Sequence, residues 1–389
     1  MRGPANRRTV IVVCDGLGVG AAPDAEAYGD SGSDTLGHVL EKHPTALPNL
    51  ERLGLLDLGN LSRRSEARGA RGKSLELSAG KDTTTGHWEM MGLVTERPFP
   101  LYPDGFPDEI VRPFEEHAGR KVLGNRAASG TEIIQELGAE HLTTRRPILY
   151  TSGDSVFQVA CHEEIWPPEE LWDLCRYARR LLTGRHNVGR VIARPFTGRP
   201  GGFTRTANRR DFTVEPTGDT WLDLVVAAGR NVFGVGKIVD IFSGRGISES
   251  VHTGSDAEGM RVTNEALRAG RADVIFTNLV DFDSKYGHRN DPAGFARNLA
   301  SLDALIPATL EALGPDDLFI LTADHGCETT DLSTDHTREF VPFLAAGPGI
   351  RENAEIGVRQ GFCDLAATAG DWMGIPAPRG ESALALLAR

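Results

Sequence analysis

Short apolar runs recur along the chain at residues 9–14, 274–279, 318–322 and 341–345, each bounded by Gly, Asp or Pro. They are rich in β-branched residues, Leu and Phe, and show no apolar–polar alternation. That pattern predicts strands buried on both faces. Helical patterns lie between them. In residues 295–313 the apolar positions Leu299, Leu302, Leu305, Ile306, Leu310 and Leu313 follow a helical period. Residues 220–228, TWLDLVVAA, end at Gly229, a helix stop. Strands alternating with helices predict an α/β fold: a doubly wound, mostly parallel sheet with helices on both faces. In such sheets functional groups gather at the carboxyl ends of the strands.

The middle of the chain breaks this pattern. Residues 101–216 are rich in Pro, Gly and Arg, with strands predicted only at 148–151 and 190–194. The stretch closes on the basic segment RPFTGRPGGFTRTANRR. It reads as a smaller α+β cap domain inserted into a core made of residues 1–100 and 217–389. A length of 389 residues suits two domains.

Composition narrows the classes. Apolar residues make up 40% and charged residues 25%, as in ordinary globular proteins. No apolar run approaches the roughly 18 residues that span a bilayer. The opening MRGPANRRTVIVVCDG has a signal-like basic start, but its apolar part is only Val10 to Cys14, which predicts a buried first strand instead. Cys14, Cys161, Cys175, Cys327 and Cys363 are scattered and form no CxxC pair, which points to a reducing, cytoplasmic compartment and no disulfide framework. A net charge of −12 argues against nucleic acid as a partner. It leaves room for a small anion met by local arginines or metals. The oligomeric state is not fixed by the pattern, and a monomer is compatible with it.

The acids and histidines fall where the sheet predicts a site. Asp15 follows the first strand in VIVVCDG; Asp283 and His288 follow the second in LVDFDSKYGH; Asp324 and His325 follow the third in LTADHG, and His336 lies just beyond. Asp and His offer oxygen and nitrogen donors suited to Mn²⁺ or Zn²⁺. Six such groups exceed one tetrahedral ion and suit two ions a few ångströms apart, the arrangement used in phosphoryl transfer. Any single Asp after a strand is more often a cap or turn former. Asp281 could stand in for Asp283.

A candidate nucleophile lies in SAGKDTTTGHWEMMG, where three threonines follow Asp82. A hydroxyl needs a base or metal to become nucleophilic. If it opens a helix, the helix amides also favour a phosphate there. The alternative is a threonine-rich helix cap.

The stretches GKDTTTGHWE, TSGDSVFQVACHEE, ARPFTG, GGFTRTANRRDF, GVGKIVDIF, TNLVDFDSKYGHRND and TADHG…STDHTRE together resemble the alkaline phosphatase superfamily. Within it they are most similar to the phosphopentomutase family, nearly end to end. That resemblance implies a two-metal site on a doubly wound sheet. It places one Mn²⁺ on Asp15, Asp324 and His325 and the other on Asp283, His288 and His336, with other divalent ions possible. It selects Thr83 as the phosphorylated residue, since the superfamily sets its nucleophile three residues before the Gly-His pair. It assigns Ser152, Asp154, Arg194, Arg205 and Lys237 to the substrate. The implied reaction interconverts ribose 1-phosphate and ribose 5-phosphate, and their 2-deoxy counterparts, through a 1,5-bisphosphate, with a sugar bisphosphate as activator. A cap that closes over such a site would exclude water and retain the bisphosphate. Two departures stand out: TSGDS where the family usually reads TSADS, and DHGCET where it usually reads DHGNDP.

Overall fold

The strand Arg8–Cys14 runs parallel between Val274–Leu279 and Asp317–Thr322. Residues Val10 to Cys14 are completely buried, which accounts for the unbroken apolar run. The computed structural model describes residues 7–59, 67–152 and 155–389. The chain divides into two compact units, one holding the residues up to Arg97 together with Pro216–Arg389, the other Pro98–Glu215.

The first unit is built on an eight-stranded sheet. Its order is Glu249–Val251, Val232–Val235, Val274–Leu279, Arg8–Cys14, Asp317–Thr322, Val341–Ala346, Ala70–Ser74, Glu355–Arg359. The first five strands are mutually parallel. Val341–Ala346 is antiparallel to both neighbours, so the sheet is mixed but parallel-rich. Helix Asp256–Ala269 links Glu249–Val251 to Val274–Leu279, and Pro292–Ala312 links Val274–Leu279 to Asp317–Thr322 across the central strand. Asp15, the turn after Leu279 and Asp324 therefore emerge at one edge, the carboxyl ends of three adjacent strands.

The predicted helices form with small boundary shifts. Trp221–Ala227 begins at a capping box, in which the Thr220 side chain and Asp223 satisfy each other's end of the first turn. Among the described residues no helix is long and apolar enough to cross a membrane.

The second unit carries a six-stranded sheet, in which Ile148–Thr151 and Arg190–Thr197 are joined by four further strands. Val156–His162 lies between those two and is buried throughout. Its Gln, Cys and His hide it from a reading by apolar runs. Alternate residues feed two cores: Leu149, Phe157, Val159 and Val191 pack with helices Asp108–Ala118 and Pro168–Leu181, while Ile148, Tyr150, Ala160 and Phe196 pack with Gly130–Thr144.

Candidate metal centre

Two groups of three side chains meet at this sheet edge, Asp15–Asp324–His325 and Asp283–His288–His336. Within each, the potential ligand atoms all lie within 4.8 Å of one another. Backbone geometry sets the first group. The Gly16 N–H donates to Asp324 Oδ1 at 3.0 Å, and Asn278 Nδ2 donates to Asp15 Oδ2 at 3.0 Å. The second group sits on irregular backbone, a π-helical turn at Phe282–Tyr286 followed by a tight turn at Gly287–Arg289.

All three histidines are oriented in the same way. His325 Nδ1 donates to the Gly326 carbonyl at 3.0 Å, His288 Nδ1 to Thr334 at 2.7 Å and His336 Nδ1 to Lys81 at 3.0 Å. In the neutral rings these partners assign the proton to Nδ1 and leave the Nε2 lone pair free. Each Nε2 then faces carboxylate oxygens. His325 Nε2 lies 3.3 Å from Asp15 Oδ1 and 3.4 Å from Asp324 Oδ2. His288 Nε2 lies 3.3 Å from Asp283 Oδ2, and His336 Nε2 lies 3.5 Å from Asp283 Oδ1. The rings of His325 and His336 stack with centroids 3.8 Å apart, which brings the two groups side by side.

Lone pairs facing lone pairs repel unless a cation lies between them. Asp15 Oδ1, Asp324 Oδ2 and His336 Nε2 are buried with no partner in hydrogen-bonding geometry. Carbonyl-anchored imidazoles with a free Nε2, next to carboxylates, are how proteins present metal ligands. The residues therefore fit divalent cations. The titration behaviour reflects the same concentrated negative charge. Burial and the neighbouring Asp324 carboxylate push the Asp15 carboxyl above its usual range. Burial opposes a charge on His325, yet Asp324 and Asp15 push its pKa well above the ordinary value. Asp281, the alternative to Asp283, turns elsewhere: its Oδ2 accepts from the Asp256 N–H at 3.2 Å and from Lys285 Nζ at 2.9 Å.

The threonines open helix Thr83–Met90, with Asp82 as its N-cap. Asp82 Oδ1 accepts from the N–H groups of Thr84 and Thr85, so a carboxylate already occupies those two amides. The Thr85 hydroxyl is buried and tied to the Asp82 carbonyl at 3.0 Å. The Thr83 hydroxyl instead stands 3.3 Å from His325 Nε2, the nitrogen that faces Asp15 and Asp324. Gly86 lets the helix approach so closely, because a Cβ there would collide with the Asp324 carbonyl.

Comparison with known proteins agrees with this geometry. Residues 7–377 match the model of the metalloenzyme superfamily. The chain is 55% identical over 365 residues to a phosphopentomutase of Caldanaerobacter subterraneus subsp. tengcongensis, covering 93% of each chain. It is 52% identical to a phosphopentomutase of Carboxydothermus hydrogenoformans, covering 97% of this chain and 98% of that one. The corresponding enzyme of Acetivibrio thermocellus is 51% identical, covering 97% of this chain and 99% of that one. The chain belongs to the phosphopentomutase family. It is accordingly an enzyme of the isomerase class.

The residues expected to meet substrate divide between the units. Lys237 is exposed at the end of Val232–Val235, just after Gly236, and among the described residues no carboxylate pairs with it. In the second unit, Ser152 follows Ile148–Thr151 and is half-buried, while Asp154 lies outside the described residues. Arg194 donates from Nε to Gln158 Oε1 at 3.1 Å. Arg205 lies against Gly130, the first residue of helix Gly130–Thr144, together with the Tyr150 hydroxyl. The Arg205 Nε and the Tyr150 hydroxyl are buried atoms without hydrogen-bond partners. Burial, and then the nearby Arg209 guanidinium, depress the pKa of Arg194, while Arg209 itself is paired with Asp211.

Several residues that shape the centre were not legible in the sequence. His87 Nδ1 donates to the Thr83 carbonyl at 2.9 Å and lies 3.2 Å from Asp324 Oδ2, joining the threonine helix to the first group. Arg338 is buried and clamps the chain before Thr83, donating to Glu76, to the Ser78 carbonyl at 2.8 Å and to the Gly80 carbonyl at 2.9 Å. The Glu89 carboxylate holds the other end of the helix through the N–H groups of Leu77, Ser78 and Phe362. His87 adjoins Gly86 in the threonine motif and Arg338 follows the last histidine by two residues, but neither spacing signals burial.

Proposed function

We propose that the chain interconverts ribose 1-phosphate and ribose 5-phosphate, together with the 2-deoxy pair, in the cytoplasm. Asp15, Asp324 and His325 hold one Mn²⁺, and Asp283, His288 and His336 hold the other, with other divalent ions as substitutes. When bound, such a pair neutralises phosphoryl oxygens and lowers the pKa of a nearby hydroxyl. Thr83 carries the phosphoryl group in the resting enzyme, loaded by a sugar bisphosphate activator. The free hydroxyl of the incoming sugar phosphate attacks that phosphorus, and the bond to Thr83 Oγ1 breaks. The product is the 1,5-bisphosphate. Attack by Thr83 on its other phosphate releases the isomerised monophosphate and restores the phosphothreonine.

The observation that carries this reading is the position of the Thr83 hydroxyl, 3.3 Å from the same His325 nitrogen that faces Asp15 and Asp324. Membership of the phosphopentomutase family supports the substrate class. Phosphoryl transfer needs positioning and charge neutralisation more than covalent help. Arg194, Arg205 and Lys237 supply cationic contacts to phosphate, the guanidinium fork matching it bidentately. Ser152 and Asp154 bind the sugar.

Phosphorus NMR on purified protein with Mn²⁺, ribose 1-phosphate and a trace of sugar bisphosphate tests the proposal. The expected result is replacement of the anomeric phosphate signal by that of a 5-phosphate monoester, with little inorganic phosphate. Accumulation of inorganic phosphate would instead identify a phosphatase.

A further inference from the structure

Cys327 stands within the loop that carries His325 and contacts the second group of ligands. Its side chain is 1% exposed. The backbone is fixed by its N–H donating to Thr35 Oγ1 at 2.9 Å, and that hydroxyl donates to the buried Glu339 at 2.7 Å. Glu339 also accepts from the Gly20 N–H and the Thr337 hydroxyl, so the loop has little freedom to shift. The sulfur is wedged between two glycines that adjoin ligands. A Cβ on Gly16, beside Asp15, would lie 3.0 Å from Cys327 Cβ, and a Cβ on Gly287, beside His288, would meet the sulfur itself.

From this position the thiol donates to Asp283 Oδ1, with sulfur and oxygen 3.7 Å apart. The same oxygen faces His336 Nε2, while the other carboxylate oxygen faces His288 Nε2. The plane of one carboxylate thus decides how both histidines are met. The S–H is a donor that holds that plane. The sulfur belongs to neither set of groups whose donor atoms lie within 4.8 Å of one another, so it stands outside the ligand atoms.

We propose that Cys327 is a positioning residue for the Asp283–His288–His336 group, its S–H bond to Asp283 setting the carboxylate orientation and with it the affinity of that group for a divalent cation. This rests on the two-metal reading above. Hydrogen bonds to ligating carboxylates typically change metal affinity by roughly 10- to 100-fold.

Calorimetric titration of Mn²⁺ into metal-free wild type, Cys327→Ala and Cys327→Ser tests it, with melting curves of the metal-free proteins as a check of folding. Wild type is expected to take up two ions. In Cys327→Ala one step weakens roughly tenfold and the other is unchanged. Cys327→Ser, whose shorter side-chain bond draws its donor back from Asp283, lies between them. If Cys327→Ala does not fold, weakening of one step in Cys327→Ser alone supports the proposal. Two unchanged steps in the folded variants overturn it. A thiolate charge-transfer band on adding Cd²⁺ to wild type, absent in Cys327→Ser, also overturns it, because the sulfur would then be a ligand. Wild type that takes up no ion sinks the two-metal reading itself, and this proposal with it.

Discussion

The hydroxyl of Thr83 and Nε2 of His325 are 3.3 Å apart. In the neutral ring that nitrogen is an acceptor, because the Nδ1 proton is committed to the Gly326 carbonyl. The hydroxyl can donate to it, or share a cation with it. Asp15 and Asp324 converge on the same nitrogen, so the hydroxyl and the first group of acids are organised about one point. A threonine at a helix start is commonplace, but one aimed at the convergence of two buried carboxylates is not explained by capping. The capping bonds of this helix go to Thr84 and Thr85 and are made by Asp82.

Thr83→Ala separates those roles. It removes the hydroxyl while leaving the Asp82 cap in place. Turnover is expected to fall at least roughly 10³-fold, as when a covalent nucleophile is deleted. Melting should change little, as for a substitution away from the core. Metal content measured on the same preparation should stay at the wild-type level. Substantial residual turnover would move the phosphoryl carrier elsewhere.

The strands buried on both faces were legible because they are predominantly apolar and carry no charged residue between their ends, even where Thr277 and Asn278 enter Val274–Leu279, and the site was legible because sheet topology forces the residues after Cys14, Leu279 and Thr322 to one edge. Val156–His162 escaped detection because it carries Gln158, Cys161 and His162 into the interior, where hydrogen bonds satisfy the His162 backbone and ring. Arg338 escaped for a related reason. A charged residue reads as surface until the partners that bury it are known, and Glu76 is distant in sequence. Which of three threonines faces the acids depended on the helix start, which periodicity fixes only to within a few residues.

Arg338 is the strongest stability test. Its guanidinium is 3% exposed on the side chain and meets Glu76 Oε2 at 2.8 Å, the Glu76 carbonyl at 2.7 Å and Asp24 at 3.1 Å. Arg338→Met leaves the Glu76 carboxylate buried and unmatched, a change that costs about 3–5 kcal/mol. The double variant Arg338→Met with Glu76→Gln should recover part of that loss, since no buried charge remains. Urea midpoints of the variants decide it. A double variant no more stable than Arg338→Met would show that the carbonyl contacts, not the charge, dominate.

Arg205 offers a test confined to substrate affinity. Its Nε and the Tyr150 hydroxyl are buried and unpartnered beside the start of helix Gly130–Thr144, where backbone amides also favour an anion. Losing one hydrogen bond to a charged group, worth about 1.5–3 kcal/mol, corresponds to roughly a 10- to 100-fold rise in KM for Arg205→Met. Arg205→Lys should restore little, lacking the planar fork. Steady-state kinetics with ribose 1-phosphate measures this. An unchanged KM would remove Arg205 from the substrate contacts.

His141 predicts how the inserted unit responds to acid. Its Nδ1 donates to the Arg146 carbonyl at 2.6 Å and its Nε2 accepts from the His162 N–H at 2.9 Å. Both ring nitrogens are used in the neutral form, and a second proton would break the bond to His162. Burial lowers the pKa of this imidazole below its ordinary value, outweighing the Arg146 carbonyl contact that favours the charged form. Around pH 6.5, the usual histidine value, the unfolded chain then binds more protons at this position than the folded one. The contribution to stability is complete above that pH and is lost as pH falls through the depressed folded value. Urea midpoints of wild type should drop between about pH 8 and about pH 5. His141→Gln should be less stable at the higher pH but show a flatter curve, because the titrating group is gone. Parallel curves for the two proteins would assign the acid sensitivity to another residue.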